Sequence, residues 1–306
     1  IWGSNNSVGN NRIQANNDGG LLLGSTSTPN TPIRNNLIQD NTGPGIILYG
    51  KFVTISNNTI HTNLGSGILL ERGGYYGPIN ITLINNSLLS NNGCGIKGNK
   101  LTNIILNNNS IQNNNGEGIW LEGSFITMND NIIQNNTGSG ITLGDYFSGN
   151  NNTLSNNIIQ ANNGNGIRLI GSYGTYYYTI IRNNLIQDNN GTGIEGTAFS
   201  SYNYTTINDN YIQGNNGAGI KWWKGVNMLV HHNIIQNNSL GLRVSYFYYC
   251  FNYTTMDSTD IVVENNKIEC NKFGLAIDYC NDTIITVSYT HLRAHETSLH
   301  LVCRLL

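Results

Sequence analysis

Two carboxylates are spaced for acid–base chemistry on a sugar. Glu71 and Glu122 fall at the same place in repeats two apart. If successive repeats stack at the spacing of β-strands, the two side chains lie about 9.6 Å apart with Asn99 between them. That is inside the roughly 5–10 Å over which a carboxyl pair can act on a glycosidic bond, so Glu71 and Glu122 are the catalytic candidates. Glu195 is three repeats beyond Glu122, and Asp40 and Asp188 are six repeats apart, so neither offers a second pair. A larger set, Trp120, Glu122, Arg168, Glu195, Lys221, Trp223 and Arg243, is suited to ligand binding, because indole faces cover sugar rings and charged groups bond their hydroxyls. The competing reading of the same set is a solvated cross-strand charge ladder. His61, His231 and His232 fall elsewhere in the repeat and read as structural. No spacing suits a metal or a cofactor, so none is expected.

What positions these residues is a repeat. Eleven copies centre on Ile13, Ile38, Ile60, Leu88, Ile111, Ile133, Ile159, Ile186, Ile212, Ile235 and Ile268, at spacings of 22 to 33 residues. Two positions before each centre stands Asn: Asn11, Asn36, Asn58, Asn86, Asn109, Asn131, Asn157, Asn184, Asn210, Asn233 and Asn266. Three positions after it Asn stands again, from Asn16 and Asn41 to Asn238 and Asn271. Five positions before it the residue is aliphatic or Met. A Gly and an aliphatic residue follow seven and eight positions after it, one residue earlier in the last two copies.

Three short, β-branched apolar segments separated by turn residues make three strands per repeat, too short for helices. The fold class is therefore all-β: a single-stranded right-handed parallel β-helix of about eleven coils, a rod roughly 50 Å long by strand spacing. Inward Asn columns are expected to form amide ladders, as in other stacked Asn arrays, and Gly118 to turn a corner. A leucine-rich repeat has a similar period, but its LxxLxLxxN signature is missing.

Alternation sends two columns outward after the repeat Gly. The first is Leu22, Ile47, Leu69, Lys97, Trp120, Thr142, Arg168, Glu195, Lys221, Arg243 and Ala276. The second is Gly24, Tyr49, Glu71, Asn99, Glu122, Gly144, Ile170, Thr197, Trp223, Ser245 and Asp278. The insertions of variable length all follow this strand and hold thirteen of the 17 tyrosines, so an aromatic wall is expected beside the strip.

The pattern NNxIxxNxGxGIxL resembles the right-handed β-helix repeats of the pectate-lyase-like superfamily, including NosD-like and other "right-handed β-helix region" proteins, over residues 1 to about 285. The resemblance implies the fold, and it implies that polysaccharide lies along the strip. It does not supply catalytic residues: the clustered Asp of polygalacturonases and the Asp-rich calcium site of pectate lyases have no counterpart here. The function expected is an extracellular or cell-surface rod that contacts a glycan. The alternatives are a polysaccharide lyase, hydrolase or epimerase whose catalytic coil is incomplete here, and a structural stalk or adhesin.

Composition narrows the partners. Charged residues are 10% of the 306 and the net charge is -2, which favours neither nucleic acid nor an anionic membrane. No apolar run is long enough to span a bilayer as a helix. Asn alone supplies 56 residues, a disorder-like bias that the conserved register of the copies contradicts. Residues 287–306, VSYTHLRAHETSLHLVCRLL, lack Asn and Gly and resemble a translated sequencing adapter. The domain expected is therefore 1–286, with 287–306 non-native and both native ends missing. By alignment of IWGS with Ile119–Glu122, Ile1 falls inside an earlier coil that precedes the first complete copy. Cys250, Cys270 and Cys280 form either a disulfide staple or small buried thiols, a choice the spacing leaves open.

Overall fold

A computed structural model describes residues 1, 6–24, 31–71, 77–144, 150–171, 177–197, 203–223, 227–245, 261–278 and 283–287. They form 31 strands, and every pairing between strands is parallel. The eleven repeat centres stack in one unbroken column, from Ile13 against Ile38 to Ile235 against Ile268. Ten of the central strands have three residues, as in Ser110–Gln112 and Ile132–Gln134, and the eleventh is the end of the longer strand Ile261–Glu269. The strands on either side of the variable loop form the rest of the coil. In two coils they run together without a break, as Ile96–Asn107 and Ile119–Asn129.

The sharp bends flanking the central strand come from residues in the left-handed region. In the coil of Ile111 these are Asn108 (φ 52°) and Asn113 (φ 55°), the residues just before the two ladder asparagines. Asn and Asp dominate these columns because their short polar side chains tolerate the conformation, but Thr62 (φ 51°), His232 (φ 56°) and Cys270 (φ 54°) adopt it too. The repeat Gly has a different role from the one expected. Only Gly214 has positive φ among the described glycines, so Gly118 does not turn the corner by a left-handed bend. A Cβ on Gly118 would lie 2.4 Å from Ile133 Cγ2 and 2.6 Å from the Gly140 carbonyl. The glycine is required for space, where one coil presses on the next.

Inside, aliphatic columns form one continuous core from Val8 to Ile268. The Asn ladders are inward and buried from Asn36 to Asn266 in the first column and from Asn41 to Asn238 in the second, with Asn11, Asn16 and Asn271 more exposed on the end rungs. Asn157 shows the bonding. Its Oδ1 accepts both the backbone N–H and the side-chain amide of Asn131, at 3.0 and 2.9 Å. Its own Nδ2 donates forward to Asn184 Oδ1 at 2.9 Å and back to the Met128 carbonyl at 3.1 Å. Two donors and two acceptor positions are all used. The second column, Asn16 to Asn271, repeats the scheme. Every side-chain amide points toward the next coil, so the bonds polarise one another along the rod.

At the ends, the Ile1 carbonyl accepts from Gly24 at 3.0 Å as Leu23 accepts from Tyr49. This seats Ile1 in an earlier rung as expected, but beside Leu23 and not beside Leu21. Val287 closes the strand Thr283–Val287 against Ile261–Glu269, and residues 288–306 lie outside the described residues.

Candidate functional site

The post-glycine strands present their outward residues in the register expected. Lys97 lies opposite Trp120, Trp120 opposite Thr142, Thr142 opposite Arg168, then Glu195, Lys221, Arg243 and Ala276 follow in order. The strip is nevertheless divided, because Thr142 is 1% exposed although it faces outward. Two separate clusters result.

The first lies over the second to fifth coils. Pro44, Leu69, Glu71, Lys97, Asn99 and Trp120 help line an open cleft of about 430 Å³. The Lys97 ammonium sits 5.0 Å from the centre of the Trp120 ring, an arrangement worth about 0.5–1 kcal/mol at an exposed site. The Tyr49 hydroxyl donates to Glu71, and that bond, followed by partial burial, raises the phenol above its ordinary pKa. Register shifts by one residue here. Gly98 pairs with Leu121 and Leu101 with Gly123, so Asn99 and Lys100 together oppose Glu122. The bulge, with Lys100 at φ 53°, re-aims the strand at the rim of the cleft. Glu122 is not in the cleft wall. Its side chain leans over Gly144 of the following coil, where Cγ is 2.9 Å from the place a Cβ would occupy. Of the two carboxylates only Glu71 lines this cleft, and Glu122 folds into the room that Gly144 leaves.

The second cluster spans the seventh to eleventh coils. Glu195 Oε2 lies 4.0 Å from Arg168 and Oε1 3.4 Å from Lys221, and Asn165 Nδ2 donates to Oε2 at 2.7 Å. Trp223 is flanked by Lys221 at 4.9 Å and Arg243 at 5.8 Å from its ring centre. Arg243 also pairs with Asp278 at 3.0 Å. These pairs are part-exposed, each worth roughly 0–1 kcal/mol, so their role in stability is small. Of the seven binding candidates, the structure brings Arg168, Glu195, Lys221, Trp223 and Arg243 together and leaves Trp120 and Glu122 apart from them.

Sequence reasoning passed over Lys97, Tyr49, Asn165 and Asp278 as site members. The first, second and fourth were readable from the outward columns. Asn165 was not, since it sits in a turn of Asn and Gly. The expected aromatic wall falls mostly outside the described residues, but Tyr178 and Tyr204 stack with ring centres 4.9 Å apart. The histidines lie near the Asn corners, where His231 and His232 bring their Nδ1 atoms to 2.7 Å. Asp40 is a corner residue as well: the Thr62 hydroxyl, 2.6 Å away, and then Gln39 hold its carboxyl below the ordinary range against some desolvation.

Cys94 is buried with Sγ 3.5 Å from Glu117 Oε2. Burial, reinforced by that carboxylate, pushes its thiol up to about 11. At pH 8 iodoacetamide should therefore label exposed Cys270 at least tenfold faster than Cys94, since the thiolate is the reactive form. Peptide mapping of the labelled protein checks this.

Comparison with known proteins bears on the fold. The profile of the family described as "Right handed beta helix region" matches residues 1–97, 75–178 and 146–304. The chain belongs to this family. Among curated proteins no sequence matches it. Among solved structures, this family member is similar to the A-module of the Azotobacter vinelandii mannuronan C-5 epimerase AlgE6, with a TM-score of 0.67 and 16% identity over 92% of this chain and 89% of that one. The corresponding AlgE4 module gives 0.63 and 13%, over 92% and 81%. The periplasmic alginate epimerase AlgG gives 0.58 and 14%, over 87% and 76%. At these identities the likeness is one of fold.

Proposed function

We propose that this β-helix protein contacts polysaccharide along its post-glycine strands, at the Trp120 cleft and at the ion-paired cluster around Trp223. The observation that carries this reading is that each outward Trp of the strip has cations beside its ring, Lys97 at one and Lys221 with Arg243 at the other. An indole with cationic hydrogen-bond donors held over its ring offers both the apolar contact and the hydroxyl partners that a sugar chain needs. Structural neighbours that act on mannuronan and alginate support it, and the periplasmic one agrees with a protein exported from the cytoplasm.

On a glycan array the chain should bind a subset of polysaccharides, and Trp120→Ala with Trp223→Ala should weaken binding at least tenfold. Binding unchanged in that double variant, or none by the parent, would sink the reading. A carboxyl in the cleft wall, Glu71, with the Tyr49 hydroxyl bonded to it favours an enzyme as the second reading. In that case the chain releases reducing or unsaturated sugar ends, and Glu71→Gln abolishes the release.

A further inference from the structure

The side of the rod formed by the central strands carries an arrangement that the carbohydrate strip does not use. From the fifth to the tenth coil its outward residues form two columns. One is Ser110, Ile132, Ile158, Leu185, Tyr211 and Ile234, and the other is Gln112, Gln134, Gln160, Gln187, Gln213 and Gln236. Neither contains a charge. The charges next to the face are Asp130, Asp188 and Asp209 at the flanking corners, and Lys267 and Glu269, which continue the two columns in the eleventh coil. The face is also flat: the segment from the first ladder Asn to the repeat Gly keeps one length through the fifth to ninth copies, so no loop rises from it.

The glutamines form a third ladder, on the outside. Each amide donates to the one before it, at 3.0 Å from Gln134, 2.7 Å from Gln160, 2.8 Å from Gln187, 2.9 Å from Gln213 and 3.0 Å from Gln236. Between Gln134 and Gln213, each amide spends one N–H and one acceptor position on the ladder. The second N–H and the second lone pair have no partner among the described residues and are available to a ligand. The ladder fixes these groups at one orientation and one spacing, so little side-chain entropy remains to be lost on binding.

We infer that this face is a second docking surface, and that its occupant is an uncharged polysaccharide in extended form lying along the rod. A half-buried apolar stripe of Ile158, Leu185 and their neighbours meets one face of the sugar rings while the amide column bonds their hydroxyls. Charge argues against an anionic chain here: the six rungs carry no cation, and the lysine that continues the column, Lys267, is paired with Glu269 at 2.7 Å. Area argues against a second protein. Six rungs at strand spacing run about 24 Å, the two columns lie about 7 Å apart, and the face is on the order of 200–300 Å², against the roughly 800 Å² per partner of a stable interface. A linear polymer needs length and not breadth.

The test is retention on microcrystalline cellulose and on chitin, with a soluble carboxylated polysaccharide as the anionic comparison. The parent chain should be retained by at least one of the uncharged solids. Ile158→Lys with Leu185→Lys should weaken retention at least tenfold, and the milder Gln160→Ser with Gln187→Ser about threefold or more, each with its thermal transition checked. Thr206→Lys, on the remaining side of the rod, should stay within twofold. The inference is overturned by no retention, or by retention that the face variants leave intact while Trp120→Ala with Trp223→Ala removes it. It is overturned equally if sedimentation shows a dimer that Ile158→Lys with Leu185→Lys converts to a monomer, since the face would then pair copies of the chain.

Discussion

Asn157→Leu should cost about 3–5 kcal/mol of stability, more than removal of a single hydrogen bond. The substitution keeps the side chain's branching and number of heavy atoms, although two methyls are bulkier than an amide, so the main loss comes from partners left behind. Asn157 Oδ1 is the shared acceptor of two donors of Asn131, one on its backbone and one on its side chain. Both stay buried when it goes, since Asn131 and Asn157 are each 0% exposed. A buried donor without a partner costs about 1–3 kcal/mol, and the Met128 carbonyl loses a bond as well. Asn184 Oδ1 loses the Asn157 side-chain donor but keeps its backbone N–H, so the damage falls mainly toward Asn131. Equilibrium urea unfolding followed by far-UV circular dichroism measures the effect. Asn190→Leu provides the contrast. Asn190 belongs to an exposed outer row, donating to Asn163 at 2.8 Å, and water replaces what is lost, so a change within about 0.5 kcal/mol is expected. If Asn157→Leu costs less than about 1 kcal/mol, the inner ladder is not a principal determinant of the stack.

The ladder could be read in the sequence because it obeys a strict condition. An inward amide is satisfied only by the same amide in the next coil, so any other residue at Asn109 or Asn131 strands its neighbours, and the column appears as identity across all eleven copies. The outward columns could be read for a related reason, since alternation is fixed once the inward positions are known. What escaped was geometry that no column records. Glu71 and Glu122 share a column, yet Gly144 gives Glu122 space to lean away, and the bulge at Asn99 and Lys100 breaks the even spacing on which their separation rested. Thr142 faces outward by register and is buried all the same. The left-handed corners were hidden because many residue types adopt them, from Ala15 to Cys270. The repeat glycines drew attention as turns when they are spacers. The Gln column was present in the sequence, but a recurring polar residue on an outer face reads as solvated filler until the amides are seen to bond.

A pair of compensating residues in the core gives the second large effect. The inward column after the repeat Gly is Leu in most coils, including Leu23, Leu48, Leu70, Leu121, Leu143 and Leu169. It then becomes Gly196 and Trp222, adjacent rungs in register. Trp222 is 4% exposed, and a Cβ on Gly196 would fall 2.4 Å from its ring. The indole therefore occupies the room that a leucine at 196 would take. Gly196→Leu alone should cost about 3 kcal/mol, because the ring has no free space into which to move. Trp222→Leu alone should cost about 2–3 kcal/mol, from the void left over Gly196. The double variant restores leucine to both rungs, as elsewhere in the column, and should lie within about 1 kcal/mol of the parent. Residues in direct contact are where additivity fails, and here it should fail by at least about 3 kcal/mol in the favourable direction. Thermal and urea unfolding of the four proteins complete the cycle, and additive losses would mean that Trp222 and Gly196 do not share one space. The pair also bears on the carbohydrate strip. Trp222 lies between Lys221 and Trp223 in one strand, Ala218–Trp223, so the packing of its ring in the core fixes how its two outward neighbours are presented. Trp222→Leu should therefore weaken glycan binding at the Trp223 cluster, and the double variant, which refills the core with smaller side chains, should recover stability more fully than binding.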